Sequence, residues 1–250
     1  MVEQTLNYQT AGSGPPLLLV HGFGISFNIW KELVPLLCPY FTLVMVELPG
    51  IGKSPLSLSG DDYLSTAVKA LEQIRSGLRL ETWDVLGYST GSRIAEAYVQ
   101  AYASHVRRAI FLCPLQVERY KLLLVRFFFW SDKFIPVFIP WMLRDWRLKI
   151  LILLFGFSLH TDAHIEEWKT EIGSASIHTL KQTIKMVLPV GTKPFSVPVP
   201  RLLIWGDADI VTIKPRKAEE CDHFVHSNHA APIQVPQIIS EIVLHFIDQS

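Results

Sequence analysis

Gly87-Tyr88-Ser89-Thr90-Gly91 follows a short apolar run, Trp83 to Leu86, and precedes a helical pattern, Ser92 to Tyr102. Strand, tight turn and helix are the setting in which G-x-S-x-G reads as a nucleophile elbow. A serine at the tip of such a turn has strained backbone torsions. Side chains at the two flanking positions would collide with the strand or the helix, so both are glycine. The turn also sets Ser89 at a helix N-terminus, where unpaired N–H groups and the helix dipole favour an oxyanion. The pentapeptide alone recurs by chance, and its weight comes from the strand before it and the helix after it.

The pattern around the elbow is regular. Leu17-Leu18-Leu19-Val20 is a continuous apolar run ending at His21-Gly22, as in a strand buried on both faces. Phe41–Val46 is a second such run, ending at Glu47-Leu48-Pro49-Gly50. Asp62–Ser76 reads as a helix capped by Asp61 or Asp62. Ala109–Leu112, closed by Pro114, and Arg201–Trp205, closed by Gly206, read as further strands. His223–Val225 fits a short last strand and Ile238–Ile247 a closing amphipathic helix. Strands alternating with helices predict an α/β fold, with a mostly parallel central sheet covered by helices on both faces. Ligands then belong at the carboxyl ends of the strands. The rhythm breaks between Pro114 and Pro200, where Phe, Trp, Leu and Ile recur at helical spacing before the proline-rich stretch Pro189–Pro200. The expected division is a core of residues 1–115 and 200–250 and an inserted helical cap of residues 116–199.

Composition narrows the function classes. The chain has 250 residues and a formal net charge of zero, which gives no basic footprint for nucleic acid. Cys38, Cys113 and Cys221 are scattered and odd in number, without a C-x-x-C, which suits a reducing compartment and a cytoplasmic protein. Met1 to Thr10 is polar, with no basic n-region or apolar h-region, so no signal peptide is expected. The oiliest stretches, Leu122–Trp130 and Ile150–Leu159, fall well short of the roughly 20 residues of a spanning helix. Peripheral contact with a membrane remains compatible with them.

A serine hydroxyl needs a neighbouring base to take its proton, and the base needs an acid to hold its tautomer. In an elbow fold the chain order is Ser, then Asp or Glu, then His. The next strand-end acid after Ser89 lies in Trp205-Gly206-Asp207-Ala208-Asp209, where two aspartates compete. On these motifs the chain resembles the α/β-hydrolase superfamily, along essentially its whole length. The resemblance implies a Gly-x-x-Asp turn carrying the acid, matched by Gly206 to Asp209, with Asp207 left as a turn former. It also implies a histidine in the loop after the last strand with a proline seven residues on. His229 and Pro236 fit that spacing, whereas His223 and His226 fit a strand or its edge. The chain departs from the family's pattern in a short Asp209–His229 interval, and in Asn228 and Gln234 where Gly and Glu are usual. By the same resemblance, His21-Gly22-Phe23-Gly24 supplies one oxyanion donor. The donors are the backbone N–H groups of Phe23 and Thr90, and His21 is a supporting residue.

Two other chemistries compete for the same residues. Cys221, Asp222, His223, His226 and His229 are metal-ligand types at close spacing, but equal three-residue steps match no zinc pattern, and no metal is expected. Gly52-Lys53-Ser54 looks like the end of a phosphate loop. Glu47 stands where that motif needs glycine, however, and Pro55 is a poor helix start. The segment instead resembles the superfamily's structural acidic-x-Pro-Gly-x-Gly-x-Ser turn. No cofactor is implied.

From Gln116 to Ile150 seven basic residues, among them Arg144 and Arg147, face three acidic ones amid many aromatics. Phe128, Trp130, Phe134 and Trp141 are the candidate substrate-binding residues of an apolar pocket. The excess positive charge suits an acidic acyl carrier protein or an anionic lipid surface, or else belongs to an ordinary solvated cap. The resemblance implies cleavage of a carboxylic ester of an apolar acyl group through an acyl-enzyme, by Ser89, His229 and Asp209. One narrower reading is a carrier-linked or lipid-linked ester, as in the biotin-pathway esterase acting on a pimeloyl carrier protein. Another is a ligand receptor of low turnover on the same fold. A serine nucleophile argues against the superfamily's dehalogenase and epoxide-hydrolase branches, whose nucleophile is aspartate.

Overall fold

The computed structural model describes residues 5–56, 62–118, 123, 162–191, 193–215 and 217–248. Its strands are β1 (Tyr8–Ala11), β2 (Pro16–Val20), β3 (Thr42–Val46), β4 (Trp83–Tyr88), β5 (Val106–Leu112), β6 (Arg201–Gly206) and β7 (Asp222–Val225). Its α-helices are α1 (Val34–Leu37), α2 (Tyr63–Gly77), α3 (Thr90–Ala101), α4 (Asp162–Ser174), α5 (Ile177–Val187), α6 (Ala231–Gln234) and α7 (Pro236–Asp248). The seven strands form one sheet in the order β1-β3-β2-β4-β5-β6-β7. Every pairing is parallel except that of β1 with β3.

The apolar runs become central strands because both of their faces are covered. Leu18, Val20, Val44, Val46 and Val85 point to one side, where they pack with α2 and α3 residues such as Leu71, Ile74, Ile94 and Tyr98. Leu17, Leu19, Leu43, Met45 and Leu86 point to the other, against Trp30, Leu37, Ile239 and Val243. Alternation by residue along a strand therefore feeds two separate cores. Helix α2 begins where Asp62 caps it, its carboxylate accepting from the Ser65 N–H at 2.9 Å.

One strand escapes the sequence reading. Tyr8–Ala11 carries no buried run, because β1 lies at the sheet edge and its residues are exposed or half-buried. Its place comes from ladder bonding to β3, in a register that sets Gln9 opposite Met45. Strand β5 also starts earlier than the apolar run, at Val106, with half-buried Arg107 and Arg108 in its first half.

Among the described residues between β5 and β6 there are two helices, α4 and α5, and no strand. Phe128, Trp130, Phe134 and Trp141, and the basic residues from Arg119 to Lys149, lie outside the described residues. The chain leaves and re-enters the core beside α3, where Arg93 holds both necks. Its Nε donates to the Leu115 carbonyl at 2.9 Å, and its Nη2 donates to the Lys193 carbonyl. Nη1 pairs with Glu96 at 2.8 Å, and the guanidinium lies 3.7 Å from the centre of the Phe195 ring. Glu96 in turn accepts from the Ser196 N–H at 2.9 Å. Removing one partner of a buried pair leaves an uncompensated charge. Arg93→Met is expected to cost about 3–5 kcal/mol in urea unfolding, and adding Glu96→Gln to recover part of it.

Candidate active site

The elbow is built as its two glycines require. Ser89 follows β4 with φ 53° and ψ −122°, a left-handed torsion that a side chain rarely adopts. A Cβ on Gly87 would lie 2.7 Å from the Ala95 Cβ, and one on Gly91 would overlap the carbonyl oxygens of Val20 and His21. The strain at Ser89 is held by the Ser89 N–H donating to the Leu112 carbonyl at 3.1 Å, and by the Ser92 N–H donating to the Ser89 carbonyl at 3.0 Å.

The structure brings Ser89, His229 and Asp209 together. Ser89 Oγ lies 2.8 Å from His229 Nε2, and His229 Nδ1 lies 2.7 Å from Asp209 Oδ2. A carboxylate can only accept, so Nδ1 carries the proton and Nε2 is left to accept from the serine hydroxyl. Burial works to raise the Asp209 pKa. The facing His229, the Val211 N–H and the Thr212 hydroxyl outweigh it and hold the carboxyl below its ordinary value. The Val211 N–H reaches Oδ1 at 2.8 Å, and the Thr212 hydroxyl reaches Oδ2 at 3.0 Å.

Sequence reading passes over Tyr88, Thr212 and Cys113. Tyr88 donates its hydroxyl to the His229 carbonyl at 2.7 Å, and its ring lies 5.5 Å from the imidazole. Burial, then the Cys113 and Asp209 charges, push the phenol pKa well up, which keeps it a donor. Tyr88 is the first variable position of G-x-S-x-G, and its partner is 141 residues away, so no local signal marks it. The short Asp209–His229 interval also has a structural account. Among the described residues between β6 and β7 there is no helix. The two departures beside His229 serve its loop. Gln234 Oε1 accepts from the Asn228 N–H at 3.0 Å, and Asn228 Oδ1 from the Ala230 N–H at 2.8 Å.

The competing histidines go elsewhere. His226 is exposed and faces Asp207 at 2.9 Å, while His223 sits within β7. Asp222 accepts from Trp205 Nε1 at 2.7 Å, so the spaced ligand types do not converge. A different trio does: one ligand atom each from Cys113, Asp209 and His229 lies within 4.8 Å of the others. Burial, then the Asp209 charge, raises the Cys113 thiol well above its ordinary value, which disfavours the thiolate a metal needs. His229 and Asp209 are also already spent on each other.

The loop after β2 lies against the elbow, since a Cβ on Gly22 would come 3.1 Å from the Ser89 Cβ. His21 is wholly buried. Its Nε2 accepts from the Leu48 N–H at 2.9 Å, so its Nδ1 is the protonated nitrogen and donates to the Gly22 carbonyl at 2.9 Å. A trans peptide sets C=O and N–H on opposite sides. Fixing the Gly22 carbonyl therefore fixes the direction of the Phe23 N–H. Phe23 is half-buried. Thr90 opens α3, and its side-chain hydroxyl is buried without a partner among the described residues. Across β3, Gly52 closes on Glu47, whose carboxylate accepts from the Asn7 side chain at 2.8 Å and the Lys53 N–H at 2.7 Å.

A family model described as "alpha/beta hydrolase fold" matches residues 15–237. A soluble epoxide hydrolase of Corynebacterium sp. (strain C12) is 34% identical over 90 residues, covering 36% of this chain and 31% of that protein. A pimeloyl-[acyl-carrier protein] methyl ester esterase of Legionella pneumophila (strain Corby) is 35% identical over 86 residues, or 34% of each chain. The matched stretch thus spans about a third of these curated relatives. A hydrolase structure from Oleispira antarctica superposes with a TM-score of 0.80 at 20% identity, covering 99% of this chain and 96% of the other. At that identity the likeness speaks to the fold alone. No helix among the described residues is long and apolar enough to cross a membrane.

Burial lowers the His21 pKa from 6.5 to about 4, against the opposing bond to Gly22. The unfolded chain therefore takes up a proton in a window where the folded chain does not. Stability from this group is complete above about pH 6.5 and declines as pH falls toward about 4, by about 3 kcal/mol in all. Unfolding free energies measured across that window are expected to show the decline. His21→Asn is expected to be less stable at neutral pH and to lack that part of the slope.

Proposed function

We propose that this chain, which belongs to the alpha/beta hydrolase fold family, cleaves a carboxylic ester of an apolar acyl group through a serine acyl-enzyme. The observation that carries this reading is the unbroken relay from Ser89 Oγ through His229 to Asp209, at 2.8 and 2.7 Å. In the proposed reaction Ser89 Oγ attacks the ester carbonyl while His229 Nε2 takes its proton. The oxyanion settles on the N–H groups of Phe23 and Thr90. The tetrahedral adduct collapses, and the imidazolium protonates the departing alkoxide. Water, deprotonated by the same nitrogen, then releases the acid. Asp209 stabilises the imidazolium that forms twice in each cycle.

Chemistry favours a carbonyl substrate over an epoxide, even though one relative is named an epoxide hydrolase. Serine attack on an epoxide or alkyl-halide carbon gives an ether, which water activated by histidine does not cleave. Attack on an ester carbonyl gives an ester, which it does.

A narrower second reading is a carrier-linked methyl ester or a lipid ester. It is supported by the relatives named pimeloyl-[acyl-carrier protein] methyl ester esterases and by the basic, aromatic stretch from Gln116 to Ile150. The proposed 116–199 cap would then present Arg144 and Arg147 to an acidic carrier.

A fluorophosphonate probe is expected to label wild-type protein, to fail with Ser89→Ala and to label His229→Ala weakly. Absence of wild-type labelling would count for the low-turnover receptor. With a chromogenic ester series of graded chain length, Asp209→Asn is expected to lower kcat by roughly 10³–10⁴-fold. Charge reversal at Arg144 and Arg147 is expected to raise KM for a carrier-bound ester and to spare a small ester. Equal effects on both would remove the carrier reading and leave the esterase intact.

A further inference from the structure

The loop carrying the Phe23 N–H has two ends. The inner end is held by His21, within the core. The outer end, at Ser26 and Asn28, is held from outside the core, by helix α4. One carboxylate, Glu171, accepts three hydrogen bonds there. The Ser26 N–H reaches Oε2 at 2.9 Å, the Ser26 hydroxyl reaches Oε1 at 2.9 Å, and the Asn28 side-chain amide reaches Oε1 at 2.6 Å. Ser26 Oγ also accepts from the Asn28 N–H at 3.2 Å, so the hydroxyl relays the carboxylate into the 3₁₀ turn Phe27–Trp30.

The same helices close on the middle of the loop. Gly24 has φ +66°, and a Cβ there would meet Leu180 of α5 at 3.1 Å and Ile172 of α4 at 3.3 Å. Leu180 and Ile172 belong to the same core cluster as Tyr88 and Trp30, beneath the elbow. Lys31 and Glu167 form a second tie one turn earlier on α4, but that pair is more than a third exposed and holds the loop weakly. The charge-assisted set at Glu171 is the stronger one.

We propose that Glu171 is a positioning residue for the oxyanion donor at Phe23. A carboxylate on the segment between β5 and β6 fixes the outer end of the loop whose inner end His21 fixes. The role in catalysis rests on the esterase reading above, whereas the clamp itself does not. Without Glu171 the outer end loses three bonds, and the bond from His21 to the Gly22 carbonyl is left to hold the Phe23 N–H, with wider excursions about where the oxyanion forms. Oxyanion donors act only as charge develops, so the loss falls on kcat and spares KM.

Two measurements on full-length Glu171→Ala, Glu171→Gln and Glu167→Ala decide it. The first is amide hydrogen exchange. Glu171→Ala is expected to speed exchange in the segment 22–28, while Glu167→Ala leaves it near wild type. Unchanged exchange in Glu171→Ala overturns the clamp, whatever the protein hydrolyses. The second uses a trifluoromethyl ketone, whose serine adduct puts an oxyanion on the same donors. Glu171→Ala is expected to lose about 10- to 100-fold in kcat at nearly constant KM, to weaken the inhibition constant by a similar factor, and Glu171→Gln to fall between. An irreversibly misfolded fraction would lower kcat but leave the inhibition constant alone, and a folding equilibrium would raise KM along with the inhibition constant. An unchanged inhibition constant therefore overturns the positioning role. A wild-type protein without ester turnover or probe labelling sinks the esterase reading and with it the catalytic role, while the exchange result still decides the clamp.

Discussion

The site depends on how closely α3 approaches the end of β2. Gly91 packs its backbone onto the carbonyl oxygens of Val20 and His21, at a distance that no side chain allows. That approach brings the start of α3, and with it Ser89, against the loop that begins at His21. Gly87 gives the matching clearance on the strand side, beneath Ala95. The torsional strain at Ser89 is sustained because strand, helix and neighbouring strand each fix one of its flanks. Ser89, Thr90 and the loop that carries Phe23 then share one small region. Backbone contact sets its spacing, and the His21 side chain orients the loop within it.

The elements that bury both faces were legible in the sequence because burial writes itself as a continuous apolar run. Leu17–Val20, Trp83–Leu86 and Arg201–Trp205 all became strands. β1 was not legible, since an edge strand needs only ladder bonds and Tyr8–Ala11 carries an ordinary polar composition. In the site, Ser89, Asp209 and His229 lie at strand ends marked by glycine or by spacing, and the folded chain brings them into one hydrogen-bonded line. Tyr88, Thr212 and Glu171 left no mark. Each acts through a contact with a partner chosen by the fold, and a tyrosine or a glutamate in a helix or strand looks like any other. His21 is an intermediate case. The His-Gly pair drew attention to the loop, but the tautomer that orients the Gly22–Phe23 peptide depends on the Leu48 N–H, 27 residues on.

Polar contacts as well as apolar ones tie the segment between β5 and β6 to the sheet and its helices. Arg93 grips both necks from α3, and Glu171 grips the loop after β2 from the far side. Hydrogen bonds are directional, so they fix orientation where an apolar face would allow sliding. Both anchors reach elements that touch Ser89: α3 begins at Thr90, and the loop after β2 lies against the Ser89 Cβ. A change in how the segment sits would therefore reach Ser89 and the loop facing it together.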